Sequence, residues 1–369
     1  MIKVLVTGVG GPTPRSFVRA IKSFGGDLAN EFEFIGVDCN RLAYGLYDKE
    51  LFSKSFVVPR TGDKNYWETM NVIIEENEID GAVILPELEV IEWAKNADRK
   101  LNKKIKLHLP DPALAAEIVN KHRLHNLLKD AGLVPKYCLL DPSGYSYKAL
   151  KEKLSDIYWV RSTEGSSGLG SLKIENEKAL EQWIAINPGV KEFIASEYLP
   201  GRNMACKLLY FAGKLVSTAS AERVNYIMAK VAPSGITGNT SFGRLLNEPG
   251  LVAISVKAMD SIALKLNVTL NGIFTIDYKE DASGNPKITE INIRHVAFTS
   301  SIAAGGANLP LDTLRGMFLN DPATLETKHY SFDEEMIFLR DVDGYPIVMK
   351  EEDLLGENIY PQQQLPQNR

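Results

Sequence analysis

The sequence predicts an α/β chain that is Rossmann-like over its first 112 residues and continues into an α+β half. Three observations carry that expectation. Short apolar runs alternate with amphipathic segments up to residue 112, a loop of small residues separates two strand-like runs at 158–174, and residues 272–300 read as two β-branched runs around a turn.

In the first part, strands are expected at 3–7, 32–37, 55–58, 81–85 and 105–109, and helices at 14–24, 66–76 and 87–97. The first turn, Gly8-Val9-Gly10-Gly11-Pro12-Thr13-Pro14, follows a strand and opens a helix, while Asp38 ends the second strand. A dinucleotide fingerprint occupies this context, so a nicotinamide-dependent oxidoreductase is one alternative reading. Against it, Thr13 stands where a third glycine would allow close helix packing, and Pro12 and Pro14 delete two amide donors. The favoured reading is a tight turn lining a substrate crevice, with Gly10 and Gly11 as its candidates.

Asp111-Pro112 reads as an N-cap followed by proline at the first helical position, and the helical pattern runs through Leu128 to a stop at Gly132. Lys121 within it reads, alone, as a solvated helix charge. Between the strands at 158–174, the loop containing Ser166, Ser167, Gly168 and Gly170 lets backbone N–H groups wrap an anion, and Arg161 at the strand end adds fixed charge; a flexible connector is the bland alternative. The run at 193–199, which includes Glu197 and Leu199, breaks at Pro200-Gly201 and resumes at 204–211, exposing backbone groups that can bond the edge of a ligand. Residues 221–244 are expected to form a long loop that meets substrate, with Arg223 its candidate contact. An amphipathic helix at 249–266, a small hairpin at 336–350 about Asp343-Gly344 and a frayed tail complete the chain.

The 272–300 stretch organises the rest. Asp281, Ser283, Gly284, Asn285 and Pro286 supply a reversal, and a turn centred between Ser283 and Gly284 sets Asp277 opposite Glu290 and Thr275 opposite Asn292. Like charges across a ladder cost something on the roughly 0.2–1 kcal/mol scale of cross-strand pairs. A hard cation removes that cost, and Asp277, Glu290 and the amide oxygen of Asn292 form an all-oxygen set suited to Mg²⁺. Arg294 shares their face, while Ile288, Ile291 and Ile293 are placed to pack with one slip of parity between Ile288 and Ile291. The alternative is an exposed hairpin whose polar face meets water.

Composition narrows the function classes. Of 369 residues, 44% are hydrophobic and 24% charged, which allows two or three ordinary globular domains. A net charge of -5 argues against a nucleic-acid partner. Cys39, Cys138 and Cys206 show neither disulfide nor zinc spacing, His122 and His125 lack a third metal ligand, and neither a signal peptide nor a membrane span is evident, so a cytoplasmic protein is expected.

Four stretches in this order resemble the ATP-grasp superfamily, the fold of carbamoyl phosphate synthase halves, biotin carboxylase and D-alanine:D-alanine ligase. They are the Lys121 helix, the 161–171 loop, Ser196-Glu197-Tyr198-Leu199-Pro200-Gly201, and Asp277 with Glu290-Ile291-Asn292-Ile293-Arg294. Gly8 to Pro12, Gly36-Val37-Asp38, Val58-Pro59 and Leu85-Pro86-Glu87 look like the pre-ATP-grasp domain of that family. The resemblance implies a pre-ATP-grasp domain at 1–112, a small lid lobe with linker helices at 113–195, a large lobe at 196–320 and a C-terminal extension at 321–369.

It further implies that Lys121 and Arg161 hold the α- and β-phosphates of ATP and that Ser166, Ser167, Gly168 and Gly170 cover them. Glu197 and Leu199 would frame adenine, Asp277, Glu290 and Asn292 would bind Mg²⁺ (or Mn²⁺ in its place), and Arg294 would steady the transferred phosphoryl group. Two departures stand out: Asn203 where a glutamate usually holds the ribose, and Lys207 where a neutral or acidic residue is commoner. The implied activity is an ATP-dependent ligase joining a small carboxylate to an amine through an acyl phosphate, with a homodimer expected. A carbamoyl phosphate synthase-like bicarbonate kinase, or a nucleotide-binding protein without ligase chemistry, are the alternatives.

Overall fold

The computed structural model describes residues 1–165 and 170–341. Ser166, Ser167, Gly168 and the second strand expected at 345–350 lie outside the described residues.

The first layer is a parallel five-stranded sheet built from β1 (Ile2–Thr7), α1 (Pro12–Phe24), β2 (Phe32–Asp38), β3 (Lys54–Val57), α2 (Tyr66–Glu76), β4 (Gly81–Val83), α3 (Glu87–Lys100) and β5 (Lys106–Leu107), in the order β3-β2-β1-β4-β5. Leu5 packs on one side with Tyr66, Met70 and Trp93, and Val4 and Val6 pack on the other with Phe17, Val18 and Ile21. Burial on both faces explains why the strand is a continuous apolar run without alternation. The turn after β1 is tight: Gly8 has φ 67°, and a Cβ on nearby Gly45 would come within 2.0 Å of the Val9 carbonyl oxygen.

Next come α4 (Pro112–Ile118) and α5 (Lys121–Leu128). Asp111 caps the first as expected, its Oδ1 accepting from the Ala113 N–H at 2.8 Å. The single helix expected through Leu128 is in fact two, because Asn120 leaves the helical conformation and its side chain accepts from the Arg123 N–H at 3.0 Å, starting a fresh helix. Lys121 therefore sits at the first position of α5 and is 6% exposed, not a solvated helix charge.

A second, antiparallel sheet is made by β6 (Tyr137–Leu140), α6 (Tyr147–Lys153), β7 (Tyr158–Ser162), β8 (Leu172–Ile174), α7 (Glu177–Ile186) and β9 (Phe193–Glu197), in the order β6-β9-β7-β8. The third sheet holds β10 (Asn203–Phe211), β11 (Lys214–Tyr226), β12 (Thr240–Leu246), α8 (Pro249–Leu266), β13 (Gly272–Glu280), β14 (Pro286–Asn292), α9 (Thr299–Ala304), α10 (Leu309–Leu314), β15 (Lys328–His329) and β16 (Ile337–Leu339). Its order is β14-β13-β10-β11-β12-β16, with β15 added in parallel on β11. The long loop expected at 221–244 is corrected: both of its ends are strands, and only 227–239 connects them. Gly243 and Thr240 there pair with Arg223 and Tyr226 across the ladder, where polar and small side chains left no apolar alternation to read.

Along β10, Met204, Cys206, Leu208 and Tyr210 pack with α8, while Ala205 and Leu209 face the opposite layer, so Asn203 and Lys207 point to that same opposite side. The hairpin of β13 and β14 pairs Asp277 with Glu290 and Thr275 with Asn292. A bulge intervenes: Asp277 pairs with Glu290 but Tyr278 pairs with Ile288, leaving Thr289 unopposed. This extra residue is the parity slip seen in the sequence, and it lets Ile288, Ile291 and Ile293 all be buried. β14 ends at Asn292, so Arg294 lies beyond the ladder and not on the strand face shared by Glu290 and Asn292 that was expected for it.

Among the described residues no helix is long and apolar enough to cross a membrane. Because Gly45 has no room for a methyl group, Gly45→Ala should lower the unfolding free energy by about 1–3 kcal/mol in urea titrations, a loss typical of overpacking.

Candidate active site

A cavity of about 810 Å³ lies between the second and third sheets, within the size range of small-molecule sites. Of the residues singled out in the sequence, Lys121, Arg161, Glu197, Leu199, Asn203, Arg223, Asp277 and Glu290 line it. Asn292 joins them through Asp277, its Nδ2 donating to Asp277 Oδ2 at 3.1 Å, which leaves the amide oxygen available. Gly170, with φ 68°, turns the chain into Ser171, which lines the cavity, and its carbonyl accepts from Trp183 Nε1 at 2.9 Å. Gly10, Gly11 and Arg294 lie outside this lining.

Positive charge converges on Glu290. Lys121 Nζ stands 3.9 Å from Glu290 Oε2 and donates to the Gly165 carbonyl at 2.8 Å, tying the α5 start to the loop after β7. Arg161 Nη1 is 3.5 Å from the same carboxylate, and its Nη2 donates to the Thr289 carbonyl that the bulge turns outward. Burial lowers the pKa of both cations, and Glu290 partly restores them. Arg161 Nε is a buried donor without a protein acceptor among the described residues.

The two facing carboxylates behave oppositely. Burial and the charge of Glu290 push Asp277 well above the ordinary carboxylate range, although Arg223 opposes this. Burial would raise Glu290 too, but Lys121 and Arg161 overcome it and hold that carboxylate low. Their proximity therefore weighs mainly on Asp277, which burial already disfavours as an anion. Two carboxylates and an amide oxygen crowded together fit a hard divalent cation, whose charge would offset their repulsion. Among the described residues no three His, Cys, Asp or Glu side chains cluster, so a metal here would rely on few protein ligands.

Arg223 is held from all sides. Its Nε donates to Thr240 Oγ1 at 3.0 Å, Nη1 to Asp277 Oδ1 at 3.2 Å and Nη2 to the Gly238 carbonyl at 3.1 Å, between the rings of Tyr226 and Phe298. Instead of standing free in a loop, it fixes Asp277 and the base of the 227–239 connection. That connection supplies Met228, Lys230 and Ile236 to the cavity wall.

Past Lys121, Glu87 at the start of α3 faces Arg294, Lys121 and Glu290, and burial raises its pKa. The sequence reading used Glu87 only as a motif position; its place at the C-terminal end of a central parallel strand was the available signal. Trp159 and Tyr226 also line the cavity and were missed, Trp159 because a lone aromatic in a strand reads as core and Tyr226 because its stretch was expected to be loop. In the first turn, both oxygens of Asp38 are engaged by their own loops, Oδ2 accepting from Gly10 N–H at 2.8 Å and Oδ1 from Asn40 N–H at 2.9 Å. The acid that the alternative dinucleotide reading would set on a ribose instead closes the turn, in keeping with the favoured reading of a tight turn.

No family model and no curated protein matches the chain in sequence. Solved structures do match in fold. An L-amino acid ligase from Bacillus licheniformis aligns at 16% identity and TM-score 0.60 over 89% of this chain and 78% of that one. An N5-carboxyaminoimidazole synthetase from Staphylococcus aureus, complexed with ADP, aligns at 13% identity and TM-score 0.64 over 92% and 80%. A biotin carboxylase domain dimer from Hydrogenobacter thermophilus, with MgADP, ADP and bicarbonate, aligns at 14% and 0.61 over 90% and 72%.

The raised Asp277 has a consequence for stability. A carboxyl with a folded pKa above its unfolded value contributes stability that is full below the unfolded pKa and lost as pH rises through the folded one. Asp277→Asn should thus melt at or above wild type near pH 8 without metal and lose that advantage near pH 4, by differential scanning fluorimetry.

Proposed function

On the premise of the ATP-grasp fold, which this chain shares with those structures, we propose an ATP-dependent ligase that phosphorylates a small carboxylate and lets an amine displace the phosphate. One observation carries the reading: a single cavity sets two buried cations against a carboxylate pair. ATP-grasp neighbours solved with ADP and with MgADP and bicarbonate support nucleotide and magnesium as its ligands.

In this reading the second sheet is the lid lobe and the third the large lobe. Glu197 and Leu199 frame adenine where the chain leaves the ladder after β9, and Asn203 meets the ribose. Lys121 and Arg161 bind the polyphosphate, with Arg161 Nε completing its hydrogen bonding on a phosphate oxygen. Gly170, which turns the chain back into β8, stands at the edge of the phosphates in this reading.

Asp277, Glu290 and Asn292 would hold Mg²⁺, or Mn²⁺ in its place, which neutralises charge on the phosphoryl group in transfer. Arg294, beside Glu87, stabilises the acyl phosphate and then the tetrahedral oxyanion as the amine attacks. Exclusion of water by the lid protects the acyl phosphate from hydrolysis.

The test is incubation with ATP, Mg²⁺ and pooled carboxylates (bicarbonate among them) and amines, scored for ADP and for amide by mass. Wild type should release ADP only when an acid is present, and Glu290→Ala should lower the rate at least about a thousandfold while melting as a folded protein. Full activity in Glu290→Ala, or no ADP binding to wild type by calorimetry, would refute the reading.

A further inference from the structure

We infer that Lys207 is a positioning residue for Arg294, acting through Thr299 to fix the bend that carries the guanidinium. The inference rests on the ligase reading for its catalytic consequence, but its structural part stands apart from it.

Lys207 lies mid-strand in β10, between Ala219 of β11 and Thr275 of β13, and is 0% exposed. A lysine this buried is rare, because desolvating an ammonium is costly unless strong partners replace water. Among the described residues no carboxylate lies within ion-pair distance of it. Its Nζ donates to Thr299 Oγ1 and sits 5.2 Å from the centre of the Phe298 ring. Both contacts belong to one short segment, 293–299, which no sheet ladder supports because β14 stops at Asn292.

That segment is held from β13 and by bonds within itself. Thr275 Oγ1 on β13 donates to the Arg294 carbonyl at 3.5 Å, the Val296 N–H donates to Thr299 Oγ1 at 3.3 Å, and the Thr299 N–H returns to the Val296 carbonyl at 3.1 Å. Beyond it, the Ser300 N–H donates to Ser16 Oγ of α1 at 2.8 Å. Thr299 Oγ1 is the node that accepts from both Lys207 and Val296. Among the described residues the Arg294 side chain bonds its neighbour alone, Nη1 donating to the His295 carbonyl at 3.0 Å, and its buried Nε has no acceptor. The side chain expected to meet reacting oxygens therefore depends on its backbone being fixed from β10, and the ammonium supplies that hold.

Lys207→Met and Thr299→Val, singly and together, test this against wild type. Methionine keeps the aliphatic volume and removes a buried amine whose charged form burial already disfavours, so melting should be unchanged or higher. Displacement of a reacting group by about 1 Å can cost on the order of a hundredfold, so Lys207→Met should lose about that much in kcat while the KM for ATP stays within about twofold. Amide hydrogen exchange at 294–300 should quicken in each variant, and the double variant should be no worse than the worse single. Wild-type kcat or unchanged exchange at 294–300 in Lys207→Met would overturn the assignment, as would a loss that tracks lowered melting and a raised ATP KM. If wild type forms no ADP with any acid, the ligase reading fails, while the exchange measurement still decides whether Lys207 holds the bend.

Discussion

The cavity depends on one unfavourable contact, Asp277 facing Glu290 across the β13–β14 ladder. In a simple hairpin such a pair would be selected against. Here the surroundings divide the two acids: Lys121 and Arg161 hold the Glu290 pKa down, while burial pushes that of Asp277 up despite Arg223. The elements that bring these cations are distant in sequence, α5 through its Asn120 cap and β7 through the second sheet. Electrostatic need at one pair of residues thus ties together the helical linker and two separate sheets.

The same contact explains local irregularities. The bulge at Thr289 lets Glu290 keep its place opposite Asp277 while the isoleucines stay buried, and it turns the Thr289 carbonyl toward Arg161. Bulges recur where a side chain must be re-aimed. Arg223, locked by three hydrogen bonds, links Asp277 to the base of the 227–239 connection, so the cavity wall and the acid pair are mechanically continuous.

Much of this was legible in the sequence because it rests on local rules. Alternation of apolar and amphipathic segments gives the parallel sheet, turn residues at 281–286 give the hairpin, and Asp111-Pro112 gives a helix start. The pairing of Asp277 with Glu290 was read correctly from a turn centre that is itself slightly displaced, because the unforeseen bulge makes up the difference. What stayed hidden depends on distant partners. Lys121 read as solvated because nothing near it in sequence tells that Gly165 and Glu290 cover it. The strands at either end of 221–244 read as loop because small polar residues there face a cavity and lack an alternating pattern. What Glu87 and Lys207 face could be seen only once the layers were stacked.

The central claim is that the facing acids of β13 and β14 seat the metal of a nucleotide site. Crystals grown with ADP and Mn²⁺, measured at the manganese absorption edge, test it most directly. The account predicts an anomalous peak bridging Asp277 and Glu290 with the diphosphate beside Arg161. A manganese peak elsewhere, with those carboxylates free of metal, would contradict it.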